Sequence, residues 1–180
     1  TPQNKDEILK SRVDSTLLIG KALVNLKNGP KLWIQMSTAH IYGDSETRTA
    51  EEDSTLGYGL APYVGKKWEA ALKQSIKPNM RSVTLRTGFV LGNTGGALAK
   101  LKLISKLGLG GKVGNGKQGM SWIHMDDLTR FVLRCLTDQT VVGVFNLSAP
   151  HPLPNDAFMK ILRQKLQVPF GLEAPMFALK

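Results

Sequence analysis

Stretches with the 3.6-residue spacing of an amphipathic helix alternate along this chain with short apolar runs that are bounded by turn residues. The first helical stretch extends from Lys5 to about Asn28 and stops at the sequence NGP, because proline cannot continue a helix. The apolar run KLWIQMS follows, and a second helix is predicted over about 62–75, with Pro62 in its first turn. This alternation predicts an α/β fold with a mainly parallel sheet.

The same alternation continues to the end of the chain. The sequence RSVTLRTGFVLG is rich in β-branched residues and predicts a buried strand. A short helix is predicted in GALAKLKLISKLG, and SWIHMDDLTRFVLRCL predicts a strand followed by a helix that Asp126 or Asp127 caps. The run VGVFNLSAP predicts a further strand, and PNDAFMKILRQKL predicts a last helix that begins near Asn155 or Asp156.

The length and composition restrict the class of protein. A chain of 180 residues fits one domain, and its 42% hydrophobic content is that of a globular protein. No apolar run approaches the roughly 20 residues that cross a membrane, so we expect no membrane association. The single cysteine, Cys135, cannot form a disulfide within the chain. A protein with this cysteine content suits a reducing compartment, the cytoplasm or an organelle matrix.

Positive charge is concentrated in the middle of the chain. The net charge is +10, and no Asp or Glu occurs between residues 70 and 125. Such a stretch attracts an anionic partner, either a small-molecule substrate or a nucleic acid. Nucleic acid is the weaker alternative, because the lysines are not interleaved with aromatic residues. A solvated lysine-rich face is the other interpretation, and we expect Lys100, Lys102 and Lys106 at exposed helix positions.

Two further patterns carry little functional information. GNGKQG, residues 114–119, matches the dinucleotide-binding pattern G-x-G-x-x-G, but it precedes the strand-like SWIH and does not open a helix. A loop or hairpin is therefore predicted there. The histidines at positions 40, 124 and 151 have no metal-binding spacing, and no metal site is predicted.

Tyr63 and Lys67 lie four positions apart in APYVGKKWEAAL, so they share one face of the second predicted helix. A neighbouring ammonium group and the positive end of a helix both stabilise a phenolate. A phenol in such surroundings is suited to proton transfer. This spacing also occurs in ordinary helices. However, STAHIYGD ends a predicted strand, where open α/β sheets bind ligands, and Thr38 there offers a hydroxyl to a substrate oxygen.

These motifs together resemble the extended short-chain dehydrogenase/reductases, the nucleotide-sugar epimerase and dehydratase superfamily. The resemblance is carried by STAHIYGD, the Y-x-x-x-K pattern, LRTGFVLG, SWIHMDDL and FNLSAP, and it runs nearly from end to end. The longer sequences GLGGKVGNGKQGMSWIHMDDL, FNLSAPHPLPNDAF and PMFALK are similar to a poorly characterised epimerase-like branch of this superfamily. Many members of that branch lack the tyrosine that this sequence keeps.

The resemblance implies the later half of a Rossmann-type doubly wound parallel sheet with a small C-terminal substrate-binding part. The C-terminal half of the NAD(P)-binding domain is then expected at 1–91, and a helix returning to it at 126–142. The substrate-binding part is expected at 92–125 and 143–180. The opening strand, glycine loop and helix of the family are not found in this sequence, so we expect it to be the central and C-terminal part of a longer protein.

The resemblance also implies an epimerase or reductase that uses NAD or NADP on a sugar nucleotide or a small carbonyl or hydroxyl compound. Thr38, Tyr63 and Lys67 match the catalytic triad of the superfamily. The same three residues, with Ser11 and Gly88, are implied to contact the cofactor. Ser11 stands where many relatives have an asparagine. A non-catalytic dinucleotide-binding or scaffold protein of the same fold is the alternative, and homo-oligomerisation is left open.

Overall fold

The computed structural model describes residues 2–44, 49–92 and 95–173. The helices of these residues are α1 (Pro2–Val24), α2 (Leu60–Ser75), α3 (Gly96–Lys106), α4 (Met125–Thr137) and α5 (Asn155–Lys165), with a 3-10 helix at Ala39–Tyr42. The strands are β1 (Leu32–Thr38), β2 (Arg81–Thr87), β3 (Phe89–Leu91), β4 (Gly119–Met120), β5 (Trp122–His124), β6 (Gly143–Leu147) and β7 (Leu153–Pro154). The predicted alternation of helices and short strands is confirmed.

The largest sheet in the described residues is parallel and has the strand order β1-β2-β6. Its register pairs Thr38 with Thr87, and Thr87 with Leu147. The carboxyl ends of all three strands therefore reach the same edge of the sheet. This edge is where ligands bind in open α/β sheets, and Thr38 lies on it.

The chain divides into two compact units. The first unit comprises Thr1–Gly43, Ala50–Thr87 and Leu128–Leu147, and the second comprises Asp44–Thr49, Gly88–Asp127 and Ser148–Lys180. β6 lies in the first unit beside β2, whereas the predicted division places residues 143–147 with the substrate-binding part.

Helix α2 buries its predicted apolar stripe in the first unit. Val64, Ala71 and Leu72 are buried, and Leu72 belongs to a core cluster with Trp33 of β1. Trp68 of the same helix is only half-buried, and its indole N–H donates to the Thr16 hydroxyl of α1 at 3.1 Å. The helix begins at Leu60, slightly before the predicted start. Pro62 remains in the first turn, where its missing N–H costs no hydrogen bond.

One predicted strand is divided in two by the backbone. RSVTLRTGFVLG forms β2 and β3, which meet at Gly88. A Cβ atom at Gly88 would lie 2.6 Å from the carbonyl oxygen of Ser121, and the Phe89 N–H donates to that oxygen at 2.7 Å. This close backbone approach leads the chain out of the first sheet and into the β3–β5 pair of the second unit.

The start of α4 also differs from the prediction. Asp126 and Asp127 lie inside the first turn and not before it. The Asp126 N–H donates to Nδ1 of His124 at 3.2 Å. A histidine side chain thus satisfies one of the free amides in the first turn of α4.

The glycine-rich segment GNGKQG forms a loop, as predicted, and it is attached to the start of α5. The Val113 N–H donates to Oδ1 of Asn155 at 2.9 Å, and the Asp156 N–H donates to the Gly116 carbonyl at 3.0 Å. The loop leads into β4, which pairs antiparallel with β7. None of the helices in the described residues is long and apolar enough to cross a membrane.

Candidate active site

Thr38 is the last residue of β1 and lies at the carboxyl edge of the parallel sheet. Its side chain is half-buried, and its hydroxyl oxygen accepts a hydrogen bond from the His40 N–H at 3.2 Å. This bond begins the 3-10 helix Ala39–Tyr42. The hydroxyl proton can still be donated, so the residue can bind a substrate oxygen while it caps the turn.

Tyr63 and Lys67 lie on the first two turns of α2 and meet there, as their spacing predicts. The Lys67 Nζ is 5.8 Å from the centroid of the Tyr63 ring, within the range of a cation–π contact. Lys67 is exposed, and Tyr63 keeps 50% of its surface exposed. Both functional groups therefore remain open to a ligand, and neither is packed in the core.

Three contacts join the end of β1 and the 3-10 helix after it to α2 and the loop before α2. The Ser37 hydroxyl donates to Oε1 of Glu69 at 2.7 Å, so the residue before Thr38 is bound to the residue two positions after Lys67. Ile41 is fully buried, and a Cβ atom at Gly65 would lie 3.0 Å from its Cγ1. The Gly57 N–H, in the loop that precedes α2, donates to the Ile41 carbonyl at 3.0 Å.

Glu69, which accepts the Ser37 hydroxyl, also forms a buried ion pair with Arg86 of β2. The Nε and Nη2 atoms of Arg86 donate to the two carboxylate oxygens of Glu69 at 2.9 and 2.8 Å. Arg86 is only 5% exposed and Glu69 only 8%. The hydrogen bond to Glu69 is the main reason that the pKa of Arg86 is raised, and burial opposes it. Arg86 therefore keeps its charge, and Glu69 is the counterion that makes its burial tolerable.

The same guanidinium also binds the turn that follows Thr38. Arg86 Nη1 donates to the Tyr42 hydroxyl at 2.6 Å and to the Glu52 carbonyl at 3.0 Å. The Tyr42 hydroxyl in turn donates to Oδ1 of Asn146 at 2.7 Å. The Asn146 backbone N–H donates to a carboxylate oxygen of Glu52 at 2.7 Å. The network thus continues from the ion pair to the third strand of the sheet.

Ser37, Arg86 and Asn146 form one row across β1, β2 and β6, because the register pairs each with the next. Reasoning from the sequence did not identify this row, or its partners Glu69 and Tyr42. A signal was present: Arg86 interrupts the apolar strand SVTLRTGFV, and a charge at a buried strand position requires a partner.

The two other predicted cofactor contacts are Ser11 and Gly88. Ser11 is exposed on α1, and its hydroxyl donates to the Ile8 carbonyl at 3.0 Å. Gly88 belongs to the second unit, where it permits the close approach to Ser121. The structure thus brings Tyr63 and Lys67 together, and the roles of Ser11 and Gly88 at a cofactor stay predictions.

The described residues fit one part of a dinucleotide cofactor. The Lys67 ammonium and the Tyr63 phenol are both exposed, and groups of this kind hydrogen-bond to ribose hydroxyls. The GNGKQG loop fits the diphosphate part poorly, since two of its amides are bonded within the loop region. The Gly116 N–H donates to the Val113 carbonyl and the Lys117 N–H to Oδ1 of Asn115, both at 3.0 Å.

The lysines of α3 lie mostly in solvent, as expected. Lys100 and Lys106 are exposed, whereas Lys102 is half-buried. All three belong to the second unit.

Comparison with known proteins identifies the family. The model of the NAD dependent epimerase/dehydratase family matches residues 2–148. The epimerase family protein ML0860 of Mycobacterium leprae is 30% identical over 98% of this chain, which covers 57% of that protein. The chloroplastic SDR39U1 homologue of Arabidopsis thaliana is 34% identical over the whole chain, which covers 52% of it. The chain thus spans a little over half the length of these relatives.

Solved structures agree in fold. Human epimerase family protein SDR39U1 (isoform 2), crystallised with NADPH, has a TM-score of 0.92 and 32% identity, over 99% of this chain and 61% of that one. A nucleoside-diphosphate sugar epimerase from Corynebacterium glutamicum has a TM-score of 0.80 and 30% identity, over 99% of this chain and 39% of that one. With its parallel sheet and its match over residues 2–148, the chain belongs to the NAD dependent epimerase/dehydratase family.

Proposed function

We propose that the complete protein is an NAD(P)-dependent epimerase or reductase that acts on a sugar nucleotide or a small carbonyl or hydroxyl compound. The observation that carries this proposal is the placement of the Lys67 ammonium 5.8 Å from the Tyr63 ring, with both side chains exposed at the start of α2. The NADPH of the human relative supports the choice of cofactor. NAD and NADP are both retained as candidates.

Each residue has a defined role in this mechanism. Tyr63 takes the proton from a substrate hydroxyl and returns it when the carbonyl is reduced. Thr38 donates a hydrogen bond to the same substrate oxygen. Lys67 holds the nicotinamide ribose, and its ammonium lies 5.8 Å from the Tyr63 ring that takes part in the proton transfer. The nicotinamide, when bound, accepts and returns the hydride.

The two units divide the work in this proposal. The first unit, with the sheet β1-β2-β6, is the later half of a doubly wound nucleotide-binding domain. The second unit provides most of the substrate-binding part, and its lysines favour an anionic substrate. The backbone around Gly88 approaches the nicotinamide, and Ser11 supports the cofactor from α1.

The test uses the complete natural protein and a panel of nucleotide sugars and carbonyl compounds, with NAD and NADP each supplied. Tyr63→Phe removes only the phenolic oxygen. We expect kcat to fall by roughly 10²–10⁴, the usual contribution of a general acid–base group, with little change in NAD(P)H affinity. Lys67→Met should lower both, because the lysine has a task in each.

A second tyrosine–lysine pair provides the matched control. Lys66 Nζ is 5.4 Å from the ring of Tyr58, which is 91% exposed. Tyr58→Phe and Lys66→Met change the same chemical groups outside the proposed site, and they should leave kcat unchanged. A Tyr63→Phe protein as active as its parent would remove Tyr63 from the mechanism. A parent that binds NAD(P)H but turns over nothing in the panel would favour the scaffold alternative.

A further inference from the structure

The buried pair of Glu69 and Arg86 lies between the elements on which the proposed reaction depends. We propose that these two are positioning residues, which hold the first turns of α2 in place against the carboxyl end of β1. They thereby fix Tyr63 and Lys67 relative to Thr38. This inference rests on the proposed function.

The ion pair is only a few residues away from Lys67 on α2 and, through Ser37, from Thr38 on β1. Glu69 lies two residues after Lys67 on α2, and its Oε1 accepts the Ser37 hydroxyl at 2.7 Å. Ser37 directly precedes Thr38. A movement of Glu69 relative to Ser37 therefore changes the position of Lys67 relative to Thr38.

Arg86 holds the second segment through the same side chain. Its Nη1 donates to the Tyr42 hydroxyl at 2.6 Å, and its Cζ lies 5.1 Å from the centroid of the Tyr42 ring. Tyr42 ends the 3-10 helix that follows Thr38. One guanidinium in β2 thus binds both the turn after Thr38 and the helix that carries Tyr63.

Stability alone gives no reason for a charged pair at this position. Apolar side chains of similar volume often serve as well as a buried ion pair, or better. Apolar packing, however, tolerates small rotations. A bidentate guanidinium–carboxylate contact fixes both distance and orientation. Because Tyr63 and Glu69 belong to the same rigid helix, a rotation that displaced Glu69 would carry Tyr63 through the same angle.

The test replaces both charges in the complete protein, with Glu69→Leu and Arg86→Met together. No unpaired charge is left, but the Ser37 hydroxyl, the Tyr42 hydroxyl and the Glu52 carbonyl each lose a hydrogen-bond partner, so we expect Tm to fall by several degrees. We expect kcat to fall about 10- to 100-fold, because a misplacement of about 1 Å has that effect. The Kd for NADPH should rise by less than it does in Lys67→Met, because Lys67 is displaced and not removed, and the larger change should be in kcat and not in KM.

The control variant is Gln35→Met. Gln35 is buried on the same face of β1 as Ser37, and its Oε1 accepts a hydrogen bond from the Trp33 indole N–H at 3.1 Å. The substitution removes a buried hydrogen bond but leaves the contacts of Glu69 intact. Tm should fall while kcat stays at the parent value, which separates loss of stability from loss of position.

A crystal structure of the double variant provides a readout that is independent of activity. We expect Tyr63 and Lys67 to be displaced by about 1 Å relative to Thr38. Unchanged side-chain positions together with an unchanged kcat would overturn the proposal. If the parent itself has no activity, the proposed function fails, and the displacement alone decides the positioning role.

Ser37→Ala is the second variant, for the case in which the double variant does not fold. It removes one hydrogen bond to Glu69 and leaves the ion pair with Arg86. We expect kcat to fall several-fold with Tm almost unchanged. A kcat equal to that of the parent would then overturn the proposal.

Discussion

Replacing Glu69 with glutamine preserves the shape of the side chain and removes the charge that Arg86 faces. Arg86 is 5% exposed, and its pKa is raised by the hydrogen bond to Glu69. Even without that bond, a guanidinium does not lose its proton in a folded protein. The Glu69→Gln protein must therefore hold a buried positive charge without its counterion.

The size of the effect follows from the contacts that remain. Removing one partner of a buried ion pair costs about 3–5 kcal/mol. Arg86 keeps its hydrogen bonds to the Tyr42 hydroxyl and the Glu52 carbonyl, so we expect the lower end, about 3 kcal/mol. In a protein of this size 1 kcal/mol lowers Tm by about 2–4 °C, so Tm should fall by about 6–12 °C.

Differential scanning calorimetry at neutral pH measures this change, and Arg134→Gln is the control. That substitution breaks an exposed ion pair, in which Arg134 Nη2 lies 3.3 Å from a carboxylate oxygen of Asp138. Exposed pairs contribute little, so Tm should stay within about 2 °C of the parent value. Equal shifts for Glu69→Gln and Arg134→Gln would refute the argument that burial makes the difference.

Three further outcomes are expected from other parts of the chain. Gly20→Ala should lower the urea concentration at which the protein unfolds, because the new Cβ would lie 2.5 Å from Cβ of Ser75. Overpacking costs about 1–3 kcal/mol, which exceeds the gain in helix propensity of about 1 kcal/mol. Adding Ser75→Gly should restore part of the lost stability. If the effects of the two substitutions simply added, the proposed contact between positions 20 and 75 would be wrong. Cys135 is fully buried, and burial raises the pKa of its thiol. It should react slowly with a thiol reagent until denaturant is added, so rapid labelling of the folded protein would be evidence against its burial. Charge reversal of the exposed Lys100 and Lys106 should leave turnover within a few-fold, whereas a large rise in KM would make them substrate ligands.

The fold could be predicted from the sequence because its signals are local. The apolar spacing of α2 and the turn residues around β1 depend on neighbours within a few positions, and both elements are where the patterns indicate. The prediction of one continuous strand over RSVTLRTGFVLG was wrong at Gly88, and the reason is a contact distant in sequence. The approach of Ser121 to Gly88 joins residues more than thirty positions apart, and no pattern within the strand indicates it.

The residues of the candidate site also differ in whether neighbours in the sequence identify them. Tyr63 and Lys67 are neighbours on one helix, so their spacing of four together with the strand-end motif STAHIYGD was enough to propose them. The side chains that hold that helix are separated from their partners by 17 positions for Glu69 and Arg86, and by 104 for Tyr42 and Asn146.

An arginine in an apolar strand indicates that a counterion exists, but several acidic residues of this chain could supply it. The parallel register decides among them, because it aligns Ser37 with Arg86 and Arg86 with Asn146 in one row. Glu69 lies on the helix that covers this row, and its carboxylate accepts from both Ser37 and Arg86. The residues proposed to react can therefore be proposed from local sequence motifs, whereas those proposed to position them become identifiable only once the strand order is known.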